Sequence, residues 1–313
     1  MNMSSITVVG SINMDIVAMT DKYPSHGETV FGNSMVLFSG GKGANQATAC
    51  AKLGKKVYLI GAIGEDAFGA ELTKRLVQNR VDTTLIKIVP NVPTGSALIT
   101  VDSSAENTML VIKGANDSLT AEDILERINT IEDSKVLLIQ MEIPVEAVIQ
   151  AMKAAKRKGM FVILDPAPAE GIVLEALQYA DIITPNLQET YTLTGIKADS
   201  EESAIKAAEH FHLHFGMKKS IIKMGGSGLL LYDEGKTLFI HPLKVKAIDT
   251  VGAGDSFAGA LACAIADGKT LEEAAKFAVI VSGIKVTRKG AQDGIPTLEE
   301  VKQYCKENGI TTG

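Results

Sequence analysis

The fold and the predicted site both centre on one stretch, Asp249-Thr-Val-Gly-Ala-Gly-Asp-Ser-Phe257. An apolar run at 258–266 follows it directly and predicts a closely packed helix. Where that helix begins, Gly252, Ala253 and Gly254 leave the backbone N–H groups uncovered by bulky side chains. The first N–H groups of a helix have no intrahelical partner and lie at the positive end of its dipole. The stretch therefore predicts a site for a phosphate or for developing negative charge.

Asp255 stands beside this predicted anion site. A carboxylate at that position is chemically sensible if it accepts a proton from an attacking hydroxyl group, as an Asp does in kinases. The alternative is that Asp255 is only a first-turn acid that complements the helix dipole. From this stretch alone, both interpretations stay open.

Composition limits the class of protein. The chain has 313 residues, of which 46% are hydrophobic and 22% charged, which is typical of a soluble globular protein with a sizeable core. The formal net charge of -6 argues against nucleic acid as a partner, because nucleic-acid binding normally requires a basic surface. No segment reaches the ~18 uninterrupted apolar residues of a membrane span. We therefore expect a cytoplasmic protein with no membrane partner.

The three cysteines, Cys50, Cys263 and Cys305, are far apart in the sequence. This spacing gives no disulfide framework and no CxxC metal pair. Cys50 and Cys263 lie in alanine-rich helical runs, so we expect buried free thiols.

Strand-like and helical patterns alternate along most of the chain. Strands are predicted at 6–10, 57–60, 136–140, 160–164, 181–184 and 219–224, and helices at 42–53, 66–80, 144–157, 170–179 and 199–214. Right-handed crossovers between such units imply a mostly parallel sheet with helices on both faces. After 227, short strands at 228–232 and 236–240 precede helices from 253 to about 287.

A second group of strands does not alternate with helices. It comprises residues 29–39, which have β character, and strands at 96–102 and 108–112 that are joined by a polar turn at 103–107. We expect these segments to form a separate small sheet, a lid on the main body. This lid would be discontinuous in the sequence, formed by about 12–39 and 94–113.

Polar or small residues follow several predicted strands, where a parallel sheet binds its ligands. These positions are Asn13, Glu142, Asp165, Asn186 and Gly225. Their placement favours one shared cleft, although loops are also polar for ordinary reasons.

The glycine-rich segment Gly40-Gly-Lys-Gly-Ala-Asn-Gln46 fits neither of the familiar nucleotide motifs. A Walker loop needs an earlier Gly where Val36 stands and a Ser or Thr where Gly43 stands. The dinucleotide fingerprint fails as well, because Gln46 occupies the place of its third Gly. The segment instead offers close backbone approach, an ammonium group and a carboxamide at one helix start, which suits the hydroxyls of a small polar ligand.

Together, the segments 40–46 and 249–257 closely resemble the two signatures of the ribokinase-like carbohydrate kinases. Further similarity lies in Gly10-Ser-Ile-Asn-Met-Asp15, in Thr184-Pro-Asn186 with Glu189, and in Thr287-Arg-Lys-Gly-Ala-Gln292. The resemblance runs in register from about residue 6 to 296. It implies a single catalytic domain over 1–313 of three-layer α/β architecture, with a mostly parallel central sheet between helices and a small β-sheet lid.

The resemblance also implies transfer of the γ-phosphoryl group of ATP to the 5-hydroxyl of D-ribose. Asp255 would be the general base, with the backbone N–H groups of Gly252, Ala253, Gly254 and Asp255 as the anion hole. The sugar hydroxyls would be held by Asn13, Asp15, Gly41, Lys42, Gly43, Asn45, Glu142 and Asp255.

On the nucleotide side, the resemblance implies contacts to ATP from Asn186, Lys223, Gly225, Gly226, Gly228 and Gly254. Glu189 would place Mg²⁺ through water, since this hard cation keeps most of its waters. A monovalent cation, usually K⁺, would be bound near the anion hole by Asp249, Val251, Val286, Lys289 and Gly290.

The sequence departs from the family pattern at three positions. Asp165 stands where Asn is frequent, which changes a charge near the nucleotide, and Val279 stands where His can occur near the adenine. Gly294 stands where relatives can supply a side-chain ligand to the cation, so backbone or water would complete that shell.

Other interpretations remain. The same reaction could act on 2-deoxyribose, fructose or a nucleoside, because one hydroxyl or methylene in a pocket is worth only about 1–3 kcal/mol. A catalytically silent sugar sensor is the alternative from another class. Exposed lid edges also predict a homodimer that packs lid to lid.

Overall fold

The computed structural model describes residues 5–104 and 107–310. Two residues of the predicted polar turn at 103–107, namely 105 and 106, lie outside this part. The strands are β1 Ser5–Val9, β2 Asn13–Thr20, β3 Gly32–Gly40, β4 Lys56–Ile60, β5 Ala62–Gly64, β6 Lys87–Val89, β7 Gly95–Val101, β8 Asn107–Ile112, β9 Ser134–Ile139, β10 Phe161–Leu164, β11 Ile182–Ile183, β12 Lys219–Lys223, β13 Leu229–Asp233 and β14 Lys236–Ile240.

The helices alternate with the strands of the first two thirds and then dominate the last third. They are α1 Lys42–Lys52, α2 Ala67–Gln78, α3 Ala121–Asn129, α4 Val145–Arg157, α5 Leu174–Leu177, α6 Leu187–Thr194, α7 Glu201–Phe215, α8 Ala253–Ala266, α9 Leu271–Lys285 and α10 Leu298–Glu307.

The main sheet has eight strands in the order β14-β13-β12-β11-β10-β9-β1-β4. From β4 to β12 all neighbours pair in parallel, and β13 and β14 complete the sheet in antiparallel pairing. The prediction of a mostly parallel central sheet is confirmed. The carboxyl ends of its parallel strands therefore share one edge, which is where such sheets bind ligands.

Alternate residues of the central strands pack into two separate cores. In β9, Val136 and Leu138 belong to one core with residues of α1, α8 and α9, whereas Leu137 and Ile139 belong to the other with residues of α4 and α7. Successive side chains of a strand point to opposite faces, so both faces of this sheet are covered by helices. The result is the predicted three-layer architecture.

The structure differs from the predictions in several helices. The predicted helix at 170–179 is only a 3-10 turn at Ala169–Gly171 followed by the short α5, because the backbone is extended at Ile172 and Val173. The helices predicted from 253 to about 287 are present as α8 and α9, which are separated at Gly268, whose φ of 77° is incompatible with a continuing right-handed helix. Helices α3, α6 and α10 were not among the predicted helices.

The small separate sheet is confirmed. It has the order β3-β2-β7-β8, and we refer to these strands as the lid sheet. Strand β2 pairs in parallel with β7 and antiparallel to β3. Several large apolar side chains of this region are exposed, among them Phe31, Met35, Met109 and Leu110.

Within residues 5–104 and 107–310, no helix has the length and apolarity needed to cross a membrane. Cys50 and Cys263 are buried and free, as expected, and Cys305 is buried and free as well.

Candidate active site

A cleft of about 930 Å³ opens at the carboxyl ends of the parallel strands and beside the N-terminus of α8. Many of the predicted functional residues line it. These are Lys42, Asn186, Glu189, Lys223, Gly225, Gly226, Gly228, Gly252, Ala253, Gly254, Asp255 and Val286, together with Asp165 and Val279.

Close packing of α1 against α8 builds the centre of the site. A Cβ added at Gly259 of α8 would lie 2.6 Å from the Cβ of Ala49 on α1, so glycine is needed for this approach. The approach brings Asp255, in the first turn of α8, next to Asn45 and Gln46 of α1. Asn45 donates to Oδ2 of Asp255 at 2.9 Å, and Gln46 donates to Oδ1 at 3.1 Å. Both carboxylate oxygens are therefore held.

Gln46 also contacts a second carboxylate. Its side-chain nitrogen donates to Oδ2 of Asp165 at 3.0 Å, and its oxygen accepts from the side-chain nitrogen of Gln140 at 2.6 Å. Because Gln46 is fully buried and bonded at both ends, its orientation is fixed. Neither the motifs nor the family resemblance pointed to a role for Gln46.

The predicted sugar-binding residues lie together at the junction of the main and lid sheets. Oδ1 of Asn13 accepts from Asn116 at 2.7 Å, and Ser11 donates to Glu142 at 2.5 Å. Gly41 has a φ of 86°, and a Cβ there would lie 2.7 Å from the backbone nitrogen of Asn13. Position 41 therefore requires glycine. Asn116 and Ser11 are supporting residues that the sequence analysis missed.

Asp15 in β2 lies in a negative environment. Burial, together with the negative charges of Glu142 and Asp255, raises the pKa of Asp15 to about 7. Gly40 on β3, which pairs with Asn13, has no room for a Cβ because the Asp15 carboxylate occupies that space. The shifted pKa makes Asp15 a group that titrates close to neutral pH.

Lys42 lies between the sugar and phosphate sides of the site. Burial lowers the pKa of its ammonium, but the surrounding carboxylates outweigh this effect and keep the pKa above its usual value. Those carboxylates are Asp255, Asp165, Glu142 and Glu189. The positive charge of Lys42 is thus attracted by all four carboxylates.

The N-terminus of α8 has the features expected of an anion site. Gly252 precedes the helix with a φ of 75°, and no side chain caps this end. The N–H of Ala253 donates to the carbonyl of Thr250 at 3.1 Å, so this amide is engaged within the protein. The N–H groups of Gly254 and Asp255 have no backbone or side-chain acceptor among the described residues. These two amides can receive a negatively charged oxygen.

Asn186 and Glu189 form a capping box at the start of α6, with Glu189 N–H donating to Asn186 at 2.8 Å and Asn186 N–H donating to Glu189 at 2.7 Å. Burial raises the pKa of Glu189, while the charge of Lys223 acts in the opposite direction. Glu189 therefore serves the helix and lines the cleft at the same time.

The departure at Asp165 is balanced by a lysine. Lys223, at the end of β12, donates to Oδ1 of Asp165 at 2.8 Å, and the Asp165 side chain is only 3% exposed. A Cβ added at Gly254 would lie 3.8 Å from Nζ of Lys223. The Lys223 ammonium therefore lies next to the free amides of α8.

The loop after β12 leaves its backbone open to the cleft. A Cβ at Gly225 or Gly226 would meet nothing within 4 Å, whereas Gly228 has a φ of 113° and packs against the carbonyl of Ile240. The first two glycines thus present bare backbone, and the third permits the turn into β13.

The predicted monovalent-cation residues surround Asp249. Its Oδ1 accepts from the N–H of Val251 at 2.9 Å, and its Oδ2 accepts from the N–H of Gly290 at 2.8 Å. The backbone N–H of Asp249 donates to the carbonyl of Val286 at 3.1 Å. Lys289 itself is exposed. Lys285, which the sequence analysis did not single out, is buried here as well.

Comparisons with known proteins agree with this geometry. The family model described as "pfkB family carbohydrate kinase" matches residues 3–298. The chain is 40% identical to the ribokinase of Haemophilus influenzae, covering 96% of this chain and 98% of the relative, and 34% identical to the deoxyribokinase of Salmonella typhi, covering 97% and 99%. It also matches the structure of Arabidopsis thaliana ribokinase complexed with ribose and ATP, with 33% identity, a TM-score of 0.90, and coverage of 97% and 99%.

The match spans nearly the whole chain. It includes the segments 40–46 and 249–257 and, within the second, Asp255, which lines the cleft. The chain therefore belongs to the pfkB family of carbohydrate kinases.

Proposed function

We propose that this protein is an ATP-dependent ribokinase, which transfers the γ-phosphoryl group of ATP to the 5-hydroxyl of D-ribose and releases D-ribose 5-phosphate and ADP. The observation that carries the proposal is the position of Asp255. Its carboxylate is held by Asn45 and Gln46 at the N-terminus of α8, where the sugar side of the site meets the cleft.

In this reaction the 5-hydroxyl oxygen attacks the γ-phosphorus, and the bond from that phosphorus to the bridging oxygen of ADP breaks. Asp255 accepts the hydroxyl proton. The free amides of Gly254 and Asp255 receive the negative charge of the transferred group, and Lys42 and Lys223 provide the nearby positive charge. Catalysis then depends on positioning and charge stabilisation, as is general for phosphoryl transfer.

The donor groups of the cleft suit Mg²⁺ that arrives with the nucleotide. The carboxylates of Glu189, Asp165 and Asp255 are hard oxygen donors on its wall. Among the described residues, however, no group of three or more His, Cys, Asp or Glu forms a metal cage. Mg²⁺ usually keeps several waters and binds through one or two carboxylates plus phosphates, so Glu189 would hold it through water. Bound Mg²⁺ would neutralise charge on the phosphates. Potassium activation stays a prediction of the family resemblance.

The acceptor is proposed to be ribose, with 2-deoxyribose as the alternative. Asn13, Asp15 and Glu142 give the sugar side several polar groups for hydroxyls. A site that hydrogen-bonds a hydroxyl rejects an analogue without it when its buried polar groups are left unpaired. Ribose is therefore favoured if Asn13 and Asp15 bond the 2-hydroxyl and 3-hydroxyl.

We also propose a cytoplasmic homodimer that packs through the lid sheet. The exposed apolar side chains of Met35, Met109 and Leu110 support this assembly, since a patch of this kind on a sheet commonly marks an interface. Lid closure over the sugar would exclude water, which otherwise competes for the phosphoryl group.

A coupled ADP-release assay with ribose, 2-deoxyribose, fructose and a nucleoside tests the proposed function. Ribose should give the highest kcat/KM. Asp255→Asn should lower turnover by on the order of 10²-fold or more while ribose binding, measured by calorimetry, changes little. Asp267→Asn, at the exposed C-terminal end of the same helix, is the matched control and should behave like the wild type.

Near-normal turnover by Asp255→Asn would exclude this residue as the base. Ribose binding without turnover on any sugar would support the sensor interpretation instead, and a preference for 2-deoxyribose would reassign the acceptor.

A further inference from the structure

Lys285, the last residue of α9, has a side chain that is 0% exposed. Lysine is almost never fully buried unless its ammonium group is paired. This ammonium lies beside Asp249, in the region where the family resemblance predicts a bound K⁺. A buried positive charge at that place needs an explanation of its own.

The ammonium contacts Asp249, one of the residues predicted to bind the ion. Nζ of Lys285 donates to the backbone carbonyl of Asp249 at 2.9 Å and lies 3.8 Å from its Oδ2. The remaining bonds of this carboxylate come from the N–H groups of Val251 and Gly290. The Asp249 carbonyl thus already accepts a hydrogen bond from a cation that belongs to the chain, and the same cation balances the charge of the Asp249 carboxylate.

Gly294 leaves the space that the lysine side chain uses. A Cβ at position 294 would lie 3.1 Å from Cε of Lys285 and 2.7 Å from the carbonyl oxygen of Gly290. A side-chain ligand at 294 would therefore compete with Lys285 for the same volume. The Lys285 side chain therefore fills the space that a side-chain ligand at position 294 would need.

These residues do not fit a K⁺ ion as well as the lysine. An ion bound to Asp249 would lie within a few ångströms of the ammonium, with one carboxylate between two positive charges. Repulsion at about 4 Å weakens binding by on the order of 10²- to 10³-fold at the dielectric typical of a protein surface. We propose that the Lys285 ammonium replaces the monovalent cation, so that the kinase activity proposed above, on which this inference rests, does not require K⁺.

The replacement acts on the anion site through Asp249. Asp249 holds the N–H of Val251, the residue before Gly252, and it also holds the N–H of Gly290. A Cβ at Gly252 would lie 3.1 Å from Cα of Ala291, so the two loops are in contact. Lys285 is therefore a positioning residue that holds the loop leading into α8 and its free amides.

The first test compares phosphorylation of ribose in tetramethylammonium chloride and in KCl at equal ionic strength. The wild type should change by less than about twofold, because its site carries its own cation. Lys285→Ala should lose on the order of 10-fold or more in kcat/KM without K⁺ and recover with K⁺, since the truncated side chain leaves room for an ion. Lys285→Met fills the same volume without charge and should not recover.

Lys276→Ala is the matched control, because Lys276 lies on the same helix with an exposed side chain. It should follow the wild type in both salts. A merely structural role for Lys285 would give equal losses in both salts, which would contradict the proposal, as would strong activation of the wild type by K⁺.

A second readout does not depend on activity. Crystals of the wild type and of Lys285→Ala are soaked in Tl⁺, which replaces K⁺ and scatters anomalously. A peak beside Asp249 should occur in the variant and not in the wild type. A peak in the wild type overturns the proposal even if no sugar is phosphorylated, and its absence there supports the proposal even if Lys285→Ala does not fold.

Discussion

Gln46 donates to Oδ1 of Asp255 at 3.1 Å, and the same nitrogen donates to Oδ2 of Asp165 at 3.0 Å. One carboxamide thus separates the proposed base from a second buried carboxylate. Its oxygen accepts from Gln140, so the amide cannot turn to present its oxygen to the two acids without losing three hydrogen bonds. The neutral carboxamide of Gln46 thus positions the proposed base, Asp255, and donates hydrogen bonds to both carboxylates.

Gln46→Glu should lower kcat by about 10- to 100-fold, since the hydrogen bond to the proposed base Asp255 is lost and a hydrogen bond to a charged group is worth about 1.5–3 kcal/mol. The new carboxylate would also repel Asp255 and Asp165. Steady-state kinetics with ribose and ATP measures the effect. Gln303→Glu, exposed on α10, is the control. Unchanged kcat in Gln46→Glu would show that the contact to Asp255 has no part in turnover.

Asp15 predicts a pH-dependent difference in stability. Its pKa is raised to about 7 in the folded protein from 3.8. Between these values the folded state binds a proton that the unfolded state does not, so this group lowers stability as the pH rises. Asp15→Asn mimics the protonated form. The variant should unfold at higher urea concentration than the wild type at about pH 8, with a smaller difference at about pH 5.

The same substitution should weaken ribose binding, because Asp15 is a proposed ligand of the sugar hydroxyls. Urea midpoints at both pH values, with calorimetry of ribose binding, measure the two effects separately. A stability difference that is the same at both pH values would contradict the raised pKa.

The pair of Lys223 and Asp165 predicts compensation between two substitutions. Lys223→Met leaves a carboxylate that is 3% exposed without its cation, which should cost about 3 kcal/mol of unfolding free energy. The double variant Asp165→Asn/Lys223→Met should regain most of that stability, since no unpaired charge remains. Both variants should show a raised KM for ATP, because they lack the ammonium beside Gly254.

Urea unfolding and the KM for ATP provide the two measurements. Lys219→Met, which removes a partly exposed ion pair with Asp233, is the control and should cost about 1 kcal/mol or less. If the double variant is no more stable than Lys223→Met, the two charges are not a buried pair.

The lid sheet predicts a dimer that one charge can disrupt. Leu110 on β8 is 61% exposed, and Leu110→Asp should shift the protein from dimer to monomer, because an unpaired carboxylate is costly in an apolar interface. Light scattering with ATP and ribose present measures the mass. Leu213→Asp on α7, also exposed but outside the lid sheet, should leave the dimer intact. A wild-type monomer would contradict the proposed assembly.

Local sequence patterns predicted some of the strands and helices, and further local patterns indicate helices that were not predicted. Buried strands such as β1 and β9 are rich in Val, Ile and Leu, and their alternation with helices predicted the parallel sheet. Helices α3 and α10 begin with capping boxes, Thr120 with Asp123 and Thr297 with Glu300, which are visible in the sequence but were not used. These signals involve residues within one turn, so no knowledge of the fold is needed to find them.

The sequence by itself determined the layered α/β architecture, the bare helix start at Gly252 and Gly254, and Asp255 as the candidate base. Only the tertiary structure decided that Gln46 bridges Asp255 and Asp165, and that Lys285 lies buried against Asp249. A lysine in the last turn of a helix is ordinarily an exposed partner of the dipole. Local patterns fix what neighbouring residues do, whereas these contacts join segments far apart in the chain and depend on how helices pack on the sheet.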